Sequence, residues 1–247
     1  MDPWLIGVPA VAALASATTA FGAVHPRSQM FGATIWRTAT PRQLAITFDD
    51  GPNPAITPKL LDLLDCFQAQ ATFFVIGRFV RACGGLTKEI AERGHLLANH
   101  TEMHANLFWL TPAAVRDELQ RCQDALREAT GNDARFFRPP YGFRNPWVVG
   151  TARDLGMQTV LWTLLPGDWR APSSEWLAKR MQPIAKHVER ASVRRTGDVI
   201  CLHDGAHRAL GGDRSHTLRA LEYWLPRWRD LGLKFVTISE AVELPAS

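Results

Sequence analysis

The chain has 247 residues, 46% hydrophobic and 21% charged, a composition that excludes a disordered protein and can fill one sizeable core. That length fits a single α/β barrel, so no division of the folded body is expected. Lys and Arg number 28 against 24 Asp and Glu, a net charge of +4. The surplus suits an anionic polymer or surface but lacks the dense basic stripe of a nucleic-acid binder.

Residues 1–28 form an apolar N-terminal segment ahead of a folded domain at 29–247. Trp4 to Val24 carries no charge and is about long enough to span a bilayer. It is rich in Ala, Thr and Gly, and Pro9 interrupts it. The first basic residue is Arg27, so the positive start of a secretory signal is missing. Two readings stand: a weak membrane anchor through residues 4–24, or a packed N-terminal helix. An anchor would tend to keep the downstream arginines cytoplasmic.

Strand and helix signals then alternate. Leu44 to Phe48 is an apolar run ending in the chain-breaking Asp49-Asp50-Gly51-Pro52-Asn53-Pro54. Helical spacing follows over Pro58 to Phe67, and Ala71 to Ile76 reads as a buried strand. Leu86 to Arg93 reads as helix and His95 to Ala98 as strand. Thr111, with Pro112 behind it, starts a long helix that runs to Thr130 before Gly131. Arg135 to Arg138 is a strand, Pro146 to Leu155 a helix stopped by Gly156, and Gln158 to Leu161 a strand. Ser173 or Ser174 caps a helix towards His187, and Val199 to Leu202 is a strand. His216 to Leu231 is helix, and Lys234 to Thr237 is the last strand. Repeated β-then-α units imply a mainly parallel sheet covered by helices, and about seven strands would close into a barrel or nearly so. Such barrels carry their functional groups at the C-terminal strand ends.

Five motifs fall at those ends. Asp49 and Asp50 are adjacent carboxylates; as neighbours in a strand they point to opposite faces, so one can hold a cation while the other handles a proton. Taken alone, they also fit an ordinary Asp-Gly turn. His100 and His104 lie four apart, which on a helix would place both imidazoles on one face towards one ion. Two nitrogens and a carboxylate suit zinc or a similar divalent metal with positions left for water and substrate. No Glu directly follows His100, so this is not the metalloprotease pattern. In Arg138-Pro139-Pro140-Tyr141-Gly142 the prolines fix the backbone, which leaves the Tyr141 N–H to aim at a ligand, and Arg138 is a permanent cation able to hold a carboxylate ionised. Asp168, beside Trp169, can orient a neighbouring base, and the indole can line a sugar pocket. His203, in Cys201-Leu202-His203-Asp204, is a natural acid or base near neutral pH. The four cysteines, Cys66, Cys83, Cys122 and Cys201, match no paired zinc motif; Cys122 and Cys201 sit in apolar patterns and read as buried free thiols.

The ordered set TFDDGP, HTEMH, RPPYG, GDW and LHDG resembles the polysaccharide deacetylase family, also called the chitooligosaccharide deacetylase homology domain or carbohydrate esterase family four, over Leu44 to about Thr237. The resemblance implies a distorted, incomplete (β/α) TIM-like barrel that hydrolyses N-acetyl, sometimes O-acetyl, groups on sugars. It implies Asp50, His100 and His104 as ligands of one divalent ion, zinc foremost, with cobalt, nickel or iron as alternatives. It implies Asp49 as general base, held ionised by Arg138, with the Tyr141 amide at the oxyanion. His203 would be the general acid tuned by Asp168, and Tyr141, Trp169 and Leu202 would contact substrate. The expected partner is an acetylated amino-sugar polymer or oligosaccharide. The family favours export or membrane association, while the missing basic signal region favours the cytoplasm. Two positions depart from the pattern: Leu165 stands where an acidic residue is usual, and Cys201 where an aliphatic one is usual. Two alternatives are the same site acting on O-acetyl groups or a small amide, and a carbohydrate-binding module without catalysis.

Overall fold

The structure, a computed structural model, describes residues 16–190 and 193–242. Helix α1 spans residues 16–24. Strand β1 (Thr34–Ile35) precedes β2 (Gln43–Gly51), α2 (Thr57–Cys66), β3 (Thr72–Val75), α3 (Gly77–Ala82), α4 (Gly84–Glu92) and β4 (Leu96–Asn99). There follow α5 (Pro112–Thr130), β5 (Phe136–Phe137), α6 (Pro146–Asp154), β6 (Gln158–Val160), α7 (Ser174–Glu189), β7 (Asp198–His203), α8 (Ser215–Asp230), β8 (Lys234–Val236) and α9 (Ile238–Val242).

Eight strands form one sheet in the order β1-β6-β5-β4-β3-β2-β7, with β8 also pairing β2. All seven pairings are parallel. A further bridge, Leu164 to Ile200, carries the chain beyond β6 back to β7. The result is the curled, incomplete barrel that the β-then-α alternation implies. Strand β1, helix α3 and helix α9 are additions that the sequence reading did not mark; each is too short to show a period.

Alternation along the strands divides the core in two. Leu44, Ile46 and Phe48 of β2, Phe73 and Val75 of β3, and Ile200 and Leu202 of β7 pack outward with the helices. Ala45, Phe74, Ala98, Phe136, Val160, Val199 and Val236 fill the inside. Helix starts follow local chemistry. The Thr111 hydroxyl accepts from Ala114 N at 3.3 Å ahead of Pro112, and Gly131 ends α5 at φ 76°. Asn145 caps α6 and Ser173 caps α7.

Helix α1 and the turn behind it sit on the barrel through Arg144, whose guanidinium donates to the carbonyls of His25 at 2.6 Å and Ser28 at 3.1 Å. Among the described residues no helix is long and apolar enough to cross a membrane. Residues 4–15 of the apolar stretch lie outside the described residues.

Candidate active site

The site continues the inner face of the barrel upward. On β2 the inner series is Ala45, Thr47, Asp49; on β7 it is Val199, Cys201, His203. Register sets Thr47 opposite Cys201 and Asp49 opposite His203. His100 and Arg138 directly follow β4 and β5, two residues beyond the interior Ala98 and Phe136. Four strands thus deliver their polar groups to one end, above an apolar floor.

Asp49 and Asp50 do not part to opposite faces. Asp50 adopts φ 69°, and the β2–β3 register shifts between Asp49 and Gly51, so both carboxylates line one cavity. The loop after His203 packs close beneath, where a Cβ on Gly205 would collide with the Asp50 carbonyl.

Arg138 is wholly buried. Its Nη1 donates to Asp49 Oδ1 at 2.6 Å and to Thr47 Oγ1 at 2.8 Å, and Nη2 donates to the Leu161 carbonyl at 3.2 Å. The guanidinium lies over Phe74 at 4.0 Å. Burial pushes the Asp49 carboxyl upward, but Arg138, with His100 and His203, outweighs it and holds the group below its ordinary value.

His100 and His104 come together without a helix. Thr101 and His104 have φ 70° and 58°, which break helical continuation. Asn99 Oδ1 accepts from Thr101 N, and Thr101 Oγ1 from His104 N, each at 2.9 Å, and these bonds shape the loop. The rings stand 5.0 Å apart at 69°. Two imidazoles on one ion at ~2.1 Å, set at a roughly tetrahedral angle, hold their centres about 5 Å apart. His100 Nε2 lies 3.6 Å and His104 Nε2 3.2 Å from Asp50 Oδ1. That oxygen is buried and has no hydrogen-bond partner, and burial lowers His104 to about 3, leaving a neutral ring with a lone pair to offer. His100 Nδ1 meets the Arg138 carbonyl at 2.8 Å, which fixes that nitrogen as the donor. An orphaned carboxylate oxygen facing two bare imidazole nitrogens fits a divalent cation.

His207 was not singled out in the sequence, where nothing marks it. Its backbone N–H donates to Asp50 Oδ2 at 3.2 Å, and its Nδ1 lies 3.5 Å from the same oxygen. Asp50, His104 and His207 bring donor atoms within 4.8 Å of one another. Yet the His104 and His207 rings are parallel within 10° at 4.3 Å. A ligating lone pair lies in its ring plane, so two stacked rings cannot both aim at one ion. His207 therefore steadies Asp50 Oδ2 and leaves Oδ1 to His100 and His104.

On the neighbouring strand β7, His203 Nδ1 meets Asp168 Oδ1 at 2.9 Å. Asp168 Oδ2 accepts from His203 N at 2.7 Å and Thr217 Oγ1 at 2.9 Å. Burial would lower His203, but the Asp168 carboxylate dominates and raises it to about 9, so the ring is cationic at neutral pH. Trp169 stands edge-on to it at 5.1 Å.

Asp49, Asp50, His100, His104, Trp169, His203 and His207 line a cavity of about 530 Å³ with Tyr141, Trp162, Leu165, Cys201, Arg208 and Arg214; Arg138 and Asp168 lie behind them. Tyr141 is half exposed at φ 61°. Leu202 is a correction: it is fully buried among the outward-packed residues beneath the helices, because strand alternation turns it away from Cys201 and His203. All four cysteines are free; Cys122 and Cys201 are buried, Cys66 is exposed and Cys83 half-buried.

Residues 37–160 match the polysaccharide deacetylase family. A peptidoglycan-N-acetylglucosamine deacetylase of Bacillus cereus is 37% identical over 197 residues, 80% of this chain and 86% of that protein. Among solved structures, the peptidoglycan N-acetylglucosamine deacetylase Bc1960 superposes with a TM-score of 0.75 at 27% identity, covering 85% of this chain and 92% of its own. A family pseudoenzyme from Bacillus anthracis superposes with a TM-score of 0.73 at 27% identity, covering 85% and 69%. With this match and this barrel, the chain belongs to the polysaccharide deacetylase family.

Proposed function

We propose that this protein removes N-acetyl groups from an amino-sugar polymer or oligosaccharide, with one divalent ion, zinc, held by Asp50, His100 and His104. The observation that carries this reading is one cavity lined by Asp49, held from behind by Arg138, and by His203, held by Asp168, beside the unpartnered Asp50 oxygen. When bound, the ion supplies Lewis acidity to an acetyl carbonyl and acidifies water.

The chain's own groups do the rest. Arg138 occupies Asp49 Oδ1, so Oδ2 is the oxygen that takes a proton from the attacking water. The Tyr141 amide donates to the developing oxyanion. Asp168 engages His203 Nδ1, which leaves Nε2 to protonate the departing nitrogen. Trp169 and Trp162 wall the pocket and exclude water around these groups. Similarity to a pseudoenzyme favours one other reading, glycan binding without hydrolysis. Against it stands the presence here of a base, an acid and a ligand set together. Measuring acetate release over chitooligosaccharides, peptidoglycan fragments and acetylated xylan separates the readings: acetate from an amino sugar supports deacetylation, acetate from xylan alone supports O-acetyl hydrolysis, and tight binding with no acetate supports the second reading.

Two variants test the roles. His104→Ala should lose most bound metal by elemental analysis after gel filtration; unchanged stoichiometry removes it as a ligand. His203 bears on pH. Its folded pKa of about 9 lies above the ordinary 6.5, so its stabilising charge is fully present below about 6.5 and is lost as pH rises through about 9. Amide hydrolysis should fall over the same alkaline range. In Asp168→Asn the fall should begin at lower pH, since the dominant raising cause is gone. An alkaline limb unmoved by Asp168→Asn counts against His203 as the acid.

A further inference from the structure

Cys201 stands where the family pattern carries an aliphatic residue, and its side chain lines the catalytic cavity. It lies two residues before His203 on the inner face of β7, directly across from the β2 residues leading to Asp49. Its Sγ donates to Asp49 Oδ2 at 3.3 Å. Arg138 already holds Asp49 Oδ1, and Asp168 holds His203 Nδ1, so Oδ2 and Nε2 are the donor atoms left towards the cavity. Asp49, Cys201 and His203 bring one donor atom each within 4.8 Å of one another. Sulfur, imidazole nitrogen and carboxylate oxygen together form a donor set for zinc or a softer cation.

We propose that Asp49, Cys201 and His203 form a second metal site, distinct from the Asp50, His100 and His104 set, that takes zinc or cadmium and blocks catalysis when filled. The thiol S–H and the imidazolium Nε2–H bonds break as the sulfur–metal and nitrogen–metal bonds form; both protons leave to solvent and nothing is oxidised or reduced. The carboxylate and thiolate together balance the charge of a divalent ion. The ion engages the oxygen that would accept the water proton and the nitrogen that would donate to the leaving group. An aliphatic side chain at 201 offers no sulfur, so this site belongs to this sequence. The inhibition rests on the deacetylase reading, whereas the binding itself does not.

The test uses the full chain with Cys66→Ser and Cys83→Ser, which removes the two more accessible thiols, loaded with one equivalent of zinc. Cadmium is then titrated while the ultraviolet thiolate-to-metal charge-transfer band and acetate release are followed together. The expected result is a band that saturates at one added equivalent, with activity lost in step. In Cys201→Val and Cys201→Ala the band should vanish, and half-inhibition should need about tenfold more cadmium or more, since even a supporting partner of a metal site is worth that much. Cadmium exchanging into the first site gives no thiolate band, because that site holds no sulfur. A parent protein without the band, or variants that keep it, overturns the proposal. A band without acetate release from any substrate upholds the metal site and sinks the deacetylase reading instead.

Discussion

Asp49→Asn is expected to lower acetate release by about 100- to 10,000-fold, the range a positioned general base contributes. The amide keeps the size of the carboxyl but puts an NH2 that accepts no proton where Oδ2 faces Cys201 and the cavity. Arg138 can still donate to the amide oxygen at the position where it now meets Oδ1 at 2.6 Å, so the fold around the site should persist. Asp50, His100 and His104 are untouched, so metal content should stay at the parental value by elemental analysis. Near-parental turnover with metal retained would remove Asp49 as the base. Loss of metal along with activity would instead place Asp49 among the ligands.

Arg138→Met should destabilise the protein by about 3–5 kcal/mol in denaturant unfolding, the cost of stranding one partner of a buried ion pair. The guanidinium is wholly buried, and it pairs with Asp49 while donating to Thr47 and to the Val160 and Leu161 carbonyls, so Met removes the donor from a buried carboxylate and three further acceptors. Combining Arg138→Met with Asp49→Leu should recover much of that loss, because replacing both charges by apolar groups is often near neutral. A loss under about 1 kcal/mol for the single variant, the scale of an exposed pair, would show that the pair is hydrated rather than buried. Activity should fall in both variants.

The barrel was legible because the strands that bear the site end in chain-breaking motifs and long helices such as α5 carry caps, Thr111 at its start and Gly131 at its end. The two-residue strands β1 and β5 show no period of their own; β5 was found through the Arg138-Pro139-Pro140 motif, and β1 had none to mark it. Nine of the ten singled-out site residues line the cavity or contact a residue that does; Leu202 is the exception, and alternation from Cys201 would have shown that. His100 and His104 meet as the spacing suggested, but not on a helix, because Thr101 and His104 adopt left-handed backbone, which residue spacing does not reveal. Likewise Asp50 reaches the cavity only through its positive φ. His207 and Thr217 act through contacts made across the fold, to Asp50 and to Asp168, and no local pattern announces such contacts.

The most direct test of the central claim is acetate release from N-acetylglucosamine oligomers and peptidoglycan fragments by metal-stripped protein as zinc is added back. The predicted result is negligible release before addition and a rise that levels at one equivalent, with inhibition beyond it. Full release from the stripped protein, or no release from either amino sugar at one equivalent, would contradict it.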